Sequence, residues 1–518
     1  MNLFRAIATV SGITMISRFF GFIRDIMVAA VLGAGPLADV FFVAFKLPNL
    51  FRRLFAEGAF NAAFVPQFSG ILTERGRHRA REFAEQALAV LLWSLLIFVI
   101  LIEITMPWIM FIFAPGFATN PEKFDLAVLL SRITFPYLLF ISLVSLMSGL
   151  LNSLGKFAAA AATPILLNIC LIGAILWLIN FTSTPAHALA LGVVIAGAVQ
   201  LFWLLFHVGK AGIKLRLLIP RLTPPVRTML RRIVPAAVGA GVYQISLLVD
   251  TVVASLLPAG SISYLFFADR VNQLPMGMIG VAVGTALLPL LSRQLSAGDS
   301  AAAIQTQNRA IDITLFLSLP AAAALIVIAL PTISVLFERG AFGPTETMAT
   351  ANALAVYATG LPAYIMVKAL TPAYFAREDT STPVKIGLLA VLVNLVLNLV
   401  LMGPFQHLGI AAATSASAWL NTILLAFVLF RRGHFSIDTR LKSRLPRMVF
   451  ATVIMALFLY LGMNGLNEML AGGQLEKCMA LFLLVSGGLI VYFAISFFIG
   501  VADKADLKRI LRQKESAV

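Results

Sequence analysis

Arg18, Arg24, Asp25, Asp39, Lys46, Arg52 and Arg53 all fall inside the first two long apolar stretches of the chain. A charge centred in hydrocarbon costs about 2.5–3.5 kcal/mol, so seven facing lipid would cost about 20 kcal/mol in simple sum. They must therefore face water or one another. Five are cationic and two anionic, so a cavity lined by them attracts anions into the membrane. The spacing agrees with such a lining. Asp39, Lys46 and Arg53 recur every seven residues, which brings them within about 40° of one another on a helix, and Asn49 and Arg52 widen that face. Arg18 and Asp25 share a face of the preceding helix in the same way, with Arg24 beside it. Two charged stripes on consecutive helices read as two walls of one cavity. Further along, Asp250, Asp269 and Arg270 contribute less, with Gln273 where a carboxylate could stand.

Some of these charges could instead pair as salt bridges between helices, Arg24 with Asp25 or Arg270 with Asp269, and for each pair that alternative stays open. It does not absorb the surplus. With Asp25 and Asp39 each given a partner, three of the five cations remain. The planar fork of arginine suits bidentate phosphate recognition, which makes a diphosphate the natural guest. Soluble-enzyme signatures are missing from the sequence. His78, His187, His207, His407 and His434 show no zinc-type spacing, and Gly149 to Lys156 is one residue too long for a P-loop, with Phe157 in place of its Ser/Thr. No ATPase and no enzyme activity is expected.

The elements that must position these residues are membrane helices. Hydrophobic residues make up 60% of the chain, charged ones 12%, and the mean hydropathy is +0.95, which describes an all-α polytopic membrane protein. The net charge of +16 sits mainly between apolar segments, where it signals topology and not nucleic acid. Cys170 and Cys478 lie inside apolar runs, which excludes a disulfide framework. The first segment, although Arg5 precedes it as in a signal peptide, has no small-residue cleavage site before Arg18 and reads as a retained helix. Fourteen apolar segments follow one another at about 5–32, 37–68, 85–114, 126–151, 157–181, 186–208, 232–257, 262–292, 310–337, 347–375, 383–403, 407–430, 446–467 and 476–501. Basic residues crowd alternate connections, while the other set holds only Lys123, Arg339 and Lys477, so both termini are expected in the cytoplasm.

The chain also repeats at a period of about 225 residues. Asp25 matches Asp250, Gly35 matches Gly260, Pro66 matches Pro289, Pro107 matches Pro331, Pro136 matches Pro362 and Asn168 matches Asn394. Six crossings per unit give a parallel repeat about an axis along the membrane normal, with the substrate expected at the repeat interface. The expected organisation is an N-lobe over 1–222, a C-lobe over 223–440, two extra helices over 441–503 and a basic cytoplasmic tail over 504–518. The turn Gly33-Ala34-Gly35-Pro36 and its counterpart Pro258-Ala259-Gly260 are expected to meet as an outer gate.

The run Ser17-Arg18-Phe19-Phe20-Gly21-Phe22-Ile23-Arg24-Asp25, followed by Asp39-Val40-Phe41-Phe42-Val43-Ala44-Phe45-Lys46-Leu47-Pro48-Asn49-Leu50-Phe51-Arg52-Arg53, closely resembles the MurJ/MviN lipid II flippases of bacterial inner membranes. Similarity continues at Phe135-Pro136-Tyr137, Ala268-Asp269-Arg270 and Thr382-Pro383-Val384-Lys385. Gln273 departs from relatives that carry Glu there. The resemblance implies a fourteen-helix fold of the multidrug/oligosaccharidyl-lipid/polysaccharide exporter superfamily. It also implies transport of undecaprenyl-diphosphate-linked disaccharide-pentapeptide to the outer leaflet, with lipid II, membrane lipids and the cell-wall synthesis machinery as partners. The two extra helices would then hold the prenyl tail. Another polyprenyl-diphosphate glycan would suit the same cations, whereas an exporter of cationic drugs would want an acidic cavity. No resident cofactor is expected, and the cycle would be driven by sodium or the membrane potential. Asp250, Asn394, Asn398, the Ile410 carbonyl and Thr414 offer five oxygens at a place resembling a sodium site of some family members. Asn394 and Asn398 could equally just bond between helices.

Overall fold

The computed structural model describes the backbone of residues 3–53 and 60–501, and the side chains there except at 3–8, 62, 234–243, 245–247, 281–282 and 285. Its helices run α1 Leu3–Leu32, α2 Pro36–Phe51, α3 Asn61–Phe113, α4 Pro121–Thr134, α5 Tyr137–Ser153, α6 Phe157–Leu176, α7 Pro185–Lys210, α8 Pro224–Ser255 and α9 Ser261–Pro275. They continue as α10 Val281–Ser296, α11 Ser300–Val327, α12 Ala329–Phe337, α13 Pro344–Phe375, α14 Ser381–Arg431, α15 Thr439–Gly465, α16 Asn467–Ala471 and α17 Gln474–Phe498. Among the described residues no strand forms, and nine helical segments are long and apolar enough to cross a membrane.

Where the sequence and the helices differ, backbone chemistry gives the reason. Within the segment expected over 37–68, α2 ends at Phe51 and the chain continues in π-helical form at Arg52 and Arg53. Pro48 inside α2 has no N–H for the Ala44 carbonyl, and Thr134 of α4 donates its hydroxyl there instead, at 2.9 Å. The basic connection at 75–81 is no open loop. Gly76, at φ 75° and ψ 179°, bends α3 sharply while helix continues on both sides. Gln406 (φ 49°, ψ −131°) breaks α14 in the same way between the expected segments 383–403 and 407–430. The segment expected over 126–151 is two helices, α4 and α5, parted at Pro136.

The chain divides into two compact units, Met1–Ser263 with Arg339–Phe342, and Tyr264–Glu338 with Gly343–Val518. The lobe boundary read from the sequence lies at 222, whereas by packing α8 joins the first unit, against α3. In that unit α1 packs on α6, α6 on α7, α2 on α4 and α3 on α5. Phe60, Phe64, Phe68 and Phe83 stack along the seam of α3 on itself across its bend. Ile97, Ile100, Leu101, Ile104, Trp108, Phe111 and Ile112 make a continuous exposed stripe on α3, a surface that only lipid would tolerate.

In the second unit α13 is the central helix, packed by α10, α11, α12 and α14. Gly360 lets Ser415 of α14 close against it, and Tyr374 donates its hydroxyl to the Leu425 carbonyl at 2.7 Å. The last long helices, α15 and α17, pack on each other and on α11. Arg444 of α15 reaches Asp312 of α11 at 2.6 Å, and the Tyr492 hydroxyl of α17 donates to the Phe316 carbonyl at 2.7 Å. The pair is thus fixed to the core by polar bonds as well as apolar contact.

Candidate functional site

On α1, Arg24 is 7% exposed and Asp25 5% exposed. Arg24 donates Nε and Nη2 to Asp25 Oδ1, at 3.0 and 2.6 Å, and Nη1 to Asn168 Oδ1 of α6 at 2.9 Å. Asn168 in turn donates Nδ2 to the Ser17 carbonyl at 3.0 Å, one face of α1 being open to it because Gly21 has no side chain. The arrangement is a closed polar hub in a membrane helix pair, where each charge-assisted bond is worth more than in water. Of the two readings left open for this pair, the salt bridge is the one formed. Arg18, two turns earlier, is exposed and has no partner among the described residues.

The charged residues of α2 and of the π-helical turn after it divide by role. Asp39 is 1% exposed and accepts from four donors: the Gly260 N–H at 2.7 Å, the Ser263 N–H at 3.0 Å, the Ser263 hydroxyl at 2.7 Å and Lys123 Nζ at 3.4 Å. A carboxylate at the first turn of α9 meets the unpaired N–H groups and the positive end of that helix. Lys46 donates to the Thr251 hydroxyl of α8. Asn49 donates to the Phe45 carbonyl at 2.8 Å and accepts from Arg52 Nε at 3.1 Å, which orients the guanidinium. Arg53 is exposed; Glu57, whose four-residue spacing would let it pair with Arg53 on a helix, lies outside the described residues. The stretch is therefore closed at its Asp39 end and cationic and open at its Arg53 end.

The turns expected to meet as an outer gate are arranged differently. Gly33, at φ 65°, abuts Ala341, whose N–H donates to the Ala30 carbonyl at 2.8 Å, so the 339–342 hairpin is the partner of that turn. The 258–260 turn is reached one helical turn further in, through Asp39. The reason is the carboxylate, which draws the N–H groups of Gly260 and Ser263 to itself.

In the second unit Asp269 accepts from Gln273 on the same helix, and the Arg270 guanidinium stands 5.1 Å over the Phe266 ring. Asn398 Nδ2 donates to Asn394 Oδ1 at 3.1 Å, Asn394 Nδ2 to Thr414 Oγ1 at 3.4 Å, and the Thr414 hydroxyl to the Ile410 carbonyl at 2.9 Å. Four of the five residues considered for sodium are thus joined in one hydrogen-bonded chain, while Asp250 belongs to the first unit. Sequence reasoning counted charges only in the first two stretches and the repeat. Extended to every apolar segment, the same count would have found Lys368 on α13 and Glu103 on α3, whose backbone carbonyl accepts from Arg132 of α4 at 3.2 Å. Nothing in the sequence marks Lys123, Thr251 or Ser263 as partners, because they come from distant elements.

A sequence model of the family described as "Lipid II flippase MurJ" matches residues 28–475, and the chain is 44% identical over its full length to 98% of a "Probable lipid II flippase MurJ" from Rhizobium meliloti (strain 1021). The chain belongs to the MurJ family. A MurJ relative from Burkholderia cenocepacia, named "Lipid II flippase MurJ", is 35% identical over 88% of this chain and 89% of its own. Among solved structures, a lipid II flippase MurJ in an inward closed conformation superposes with a TM-score of 0.78 at 26% identity, covering 94% of this chain and 98% of that one. An inward-facing multidrug transporter of the MATE family, 15% identical, shares the fold with a TM-score of 0.66 over 85% of this chain and 99% of its own. The MurJ membership agrees with the helical architecture and with the charged first helix pair.

Proposed function

We propose that this multi-pass membrane protein is a lipid II flippase of the bacterial inner membrane, carrying undecaprenyl-diphosphate-linked disaccharide-pentapeptide to the outer leaflet. It makes and breaks no bond in its cargo and is a transporter, not an enzyme. Beside the family membership, the observation that carries this reading is the pair of exposed cations, Arg18 and Arg53, without an ionic partner among the described residues of a strongly apolar chain. A diphosphate supplies the missing counter-charge. In this reading Arg18, Arg52, Arg53 and Arg270 meet the diphosphate and headgroup, with Lys46 and Asn49 shaping the surface between them. Arg24 and Asp25 hold α1 in register with α6, and Asp39 with Asp269 tunes the field. Both termini are cytoplasmic, the two lobes alternate in opening the cavity to either side, and α15 with α17 carries the prenyl tail. Sodium or the membrane potential drives the cycle, and the cell-wall synthesis machinery receives the cargo.

Replacing Arg18 or Arg52 by Ala should abolish complementation of a flippase-depleted strain, with lipid-linked precursor accumulating in the inner leaflet and membrane insertion unchanged. Normal growth of both variants overturns the reading.

A further inference from the structure

We infer that Lys368, flanked by Tyr364 and Thr371, forms a second anion site in the second unit that takes an anionic oxygen of the cargo headgroup. The inference rests on the flippase reading and goes beyond it by assigning a new ligand residue. Lys368 lies inside an apolar membrane segment of α13. It has no hydrogen-bond or ion-pair partner among the described residues.

On the face of α13 that carries Lys368, Phe375 seven residues further on is exposed as well. From Gly360 to Tyr374 the helix is buried or half-buried at every position but Lys368. The exposed residues nearer the start of α13, Thr345, Met348, Asn352 and Thr359, lie on the opposite side, since sixteen residues from Asn352 to Lys368 turn the helix by about 160°. Tyr364, Lys368 and Thr371 recur at the i, i+4, i+7 spacing and so share one face of α13, where the Tyr364 hydroxyl is buried and the Thr371 hydroxyl donates to the Val367 carbonyl at 2.8 Å.

The neighbouring helix is shaped to leave this room. A side chain at Gly280 would stand 3.4 Å from Lys368 Cγ, and one at Gly284 would stand 3.7 Å from the Lys368 carbonyl oxygen. The small residues of that Gly-xxx-Gly pair therefore cradle the lysine stem, and the π-helical turn Met276–Gly280 occurs at the same place. Pro372 supplies no N–H to the Lys368 carbonyl, a further departure from regular helix at this point. Among the described residues no group supplies the counter-charge that an ammonium so placed needs. The cargo has two such sources, the diphosphate and the carboxylate that ends its peptide.

The test is equilibrium binding of the full-length protein in nanodiscs to two probes, undecaprenyl diphosphate and the complete lipid-linked disaccharide-pentapeptide. Lys368→Gln and Lys368→Glu should each bind the complete cargo about tenfold or more weakly, with Lys368→Arg recovering most of the loss. Weakening toward both probes assigns Lys368 to the diphosphate, and weakening toward the complete cargo alone assigns it to the peptide carboxylate. If wild type binds the complete cargo and Lys368→Glu binds it equally well, this inference fails and the flippase reading stands. If wild type binds neither probe, the flippase reading fails and the inference falls with it.

Discussion

Among single residues, the charges of α1 and α2 divide into those that hold the protein together and those left for a guest. Arg24 belongs to the first kind, because three of its donors are committed in fixed directions to Asp25 and Asn168. Lysine keeps the charge but not the fork. Arg24→Lys should therefore lose complementation nearly as fully as Arg24→Ala, whereas Arg18→Lys, at an exposed position, should retain a measurable part of it. Equal behaviour of the two lysine variants would remove the distinction. Asp39 is the other fixed charge. Asn there would keep one acceptor and turn an amide donor toward the Gly260 N–H or Lys123, and losing charged bonds at a buried site costs about 2–4 kcal/mol. A lowered thermal midpoint of Asp39→Asn in detergent checks this, and an unchanged one contradicts it.

Elements show how the polar bonds of connections fix apolar helices. The turn between α13 and α14 is held by Asp379, which accepts from the Thr382 hydroxyl and N–H at 2.6 and 3.0 Å and from Arg432 Nη1 at 2.6 Å. Those bonds, the Thr382 hydroxyl first, hold its carboxyl well below the usual carboxylate range. A lowered folded-state pKa contributes stability that is present above the ordinary aspartate value of about 3.9 and lost as pH falls through the lowered one. Because the pair is largely solvated, the contribution is about 1 kcal/mol or less. Asp379→Asn should accordingly lower the thermal midpoint slightly at pH 7, and the gap to wild type should shrink as pH is brought below about 4. A gap that widens on acidification would refute this.

At the scale of the whole molecule, the cycle needs a driving force. In the Asn398–Asn394–Thr414–Ile410 chain the first three side chains each donate one hydrogen bond to the next oxygen. A sodium ion would have to turn those oxygens toward itself, and the gain would depend on a carboxylate such as Asp250. If sodium is the coupling ion, raising it should increase wild-type thermal stability and transport, and Asp250→Asn should lose both effects. Sodium-independent transport in wild type leaves the membrane potential as the driving force we propose.

Much of this protein was legible before any coordinates. Hydropathy and charge alternation determined a helical membrane protein, since lipid permits no unpaired backbone and basic residues resist crossing. The seven-residue spacing of Asp39 and Lys46 placed them on one face because α2 has a fixed period, whereas Arg53 lies in the π-helical turn beyond its end. The quoted run around Arg18 and Asp39 identified the family. Tertiary structure alone decided which charges are spent and which are open. Asn168, Lys123, Thr251 and Ser263 reach the charged stripes from helices up to 224 residues away, and no local pattern encodes such a meeting. It also decided where long helices bend, at Gly76 inside α3 and at Gln406 inside α14, neither of which hydropathy marks. Periodicity belongs to a single helix and can be read from its sequence, whereas partnership depends on how several helices pack.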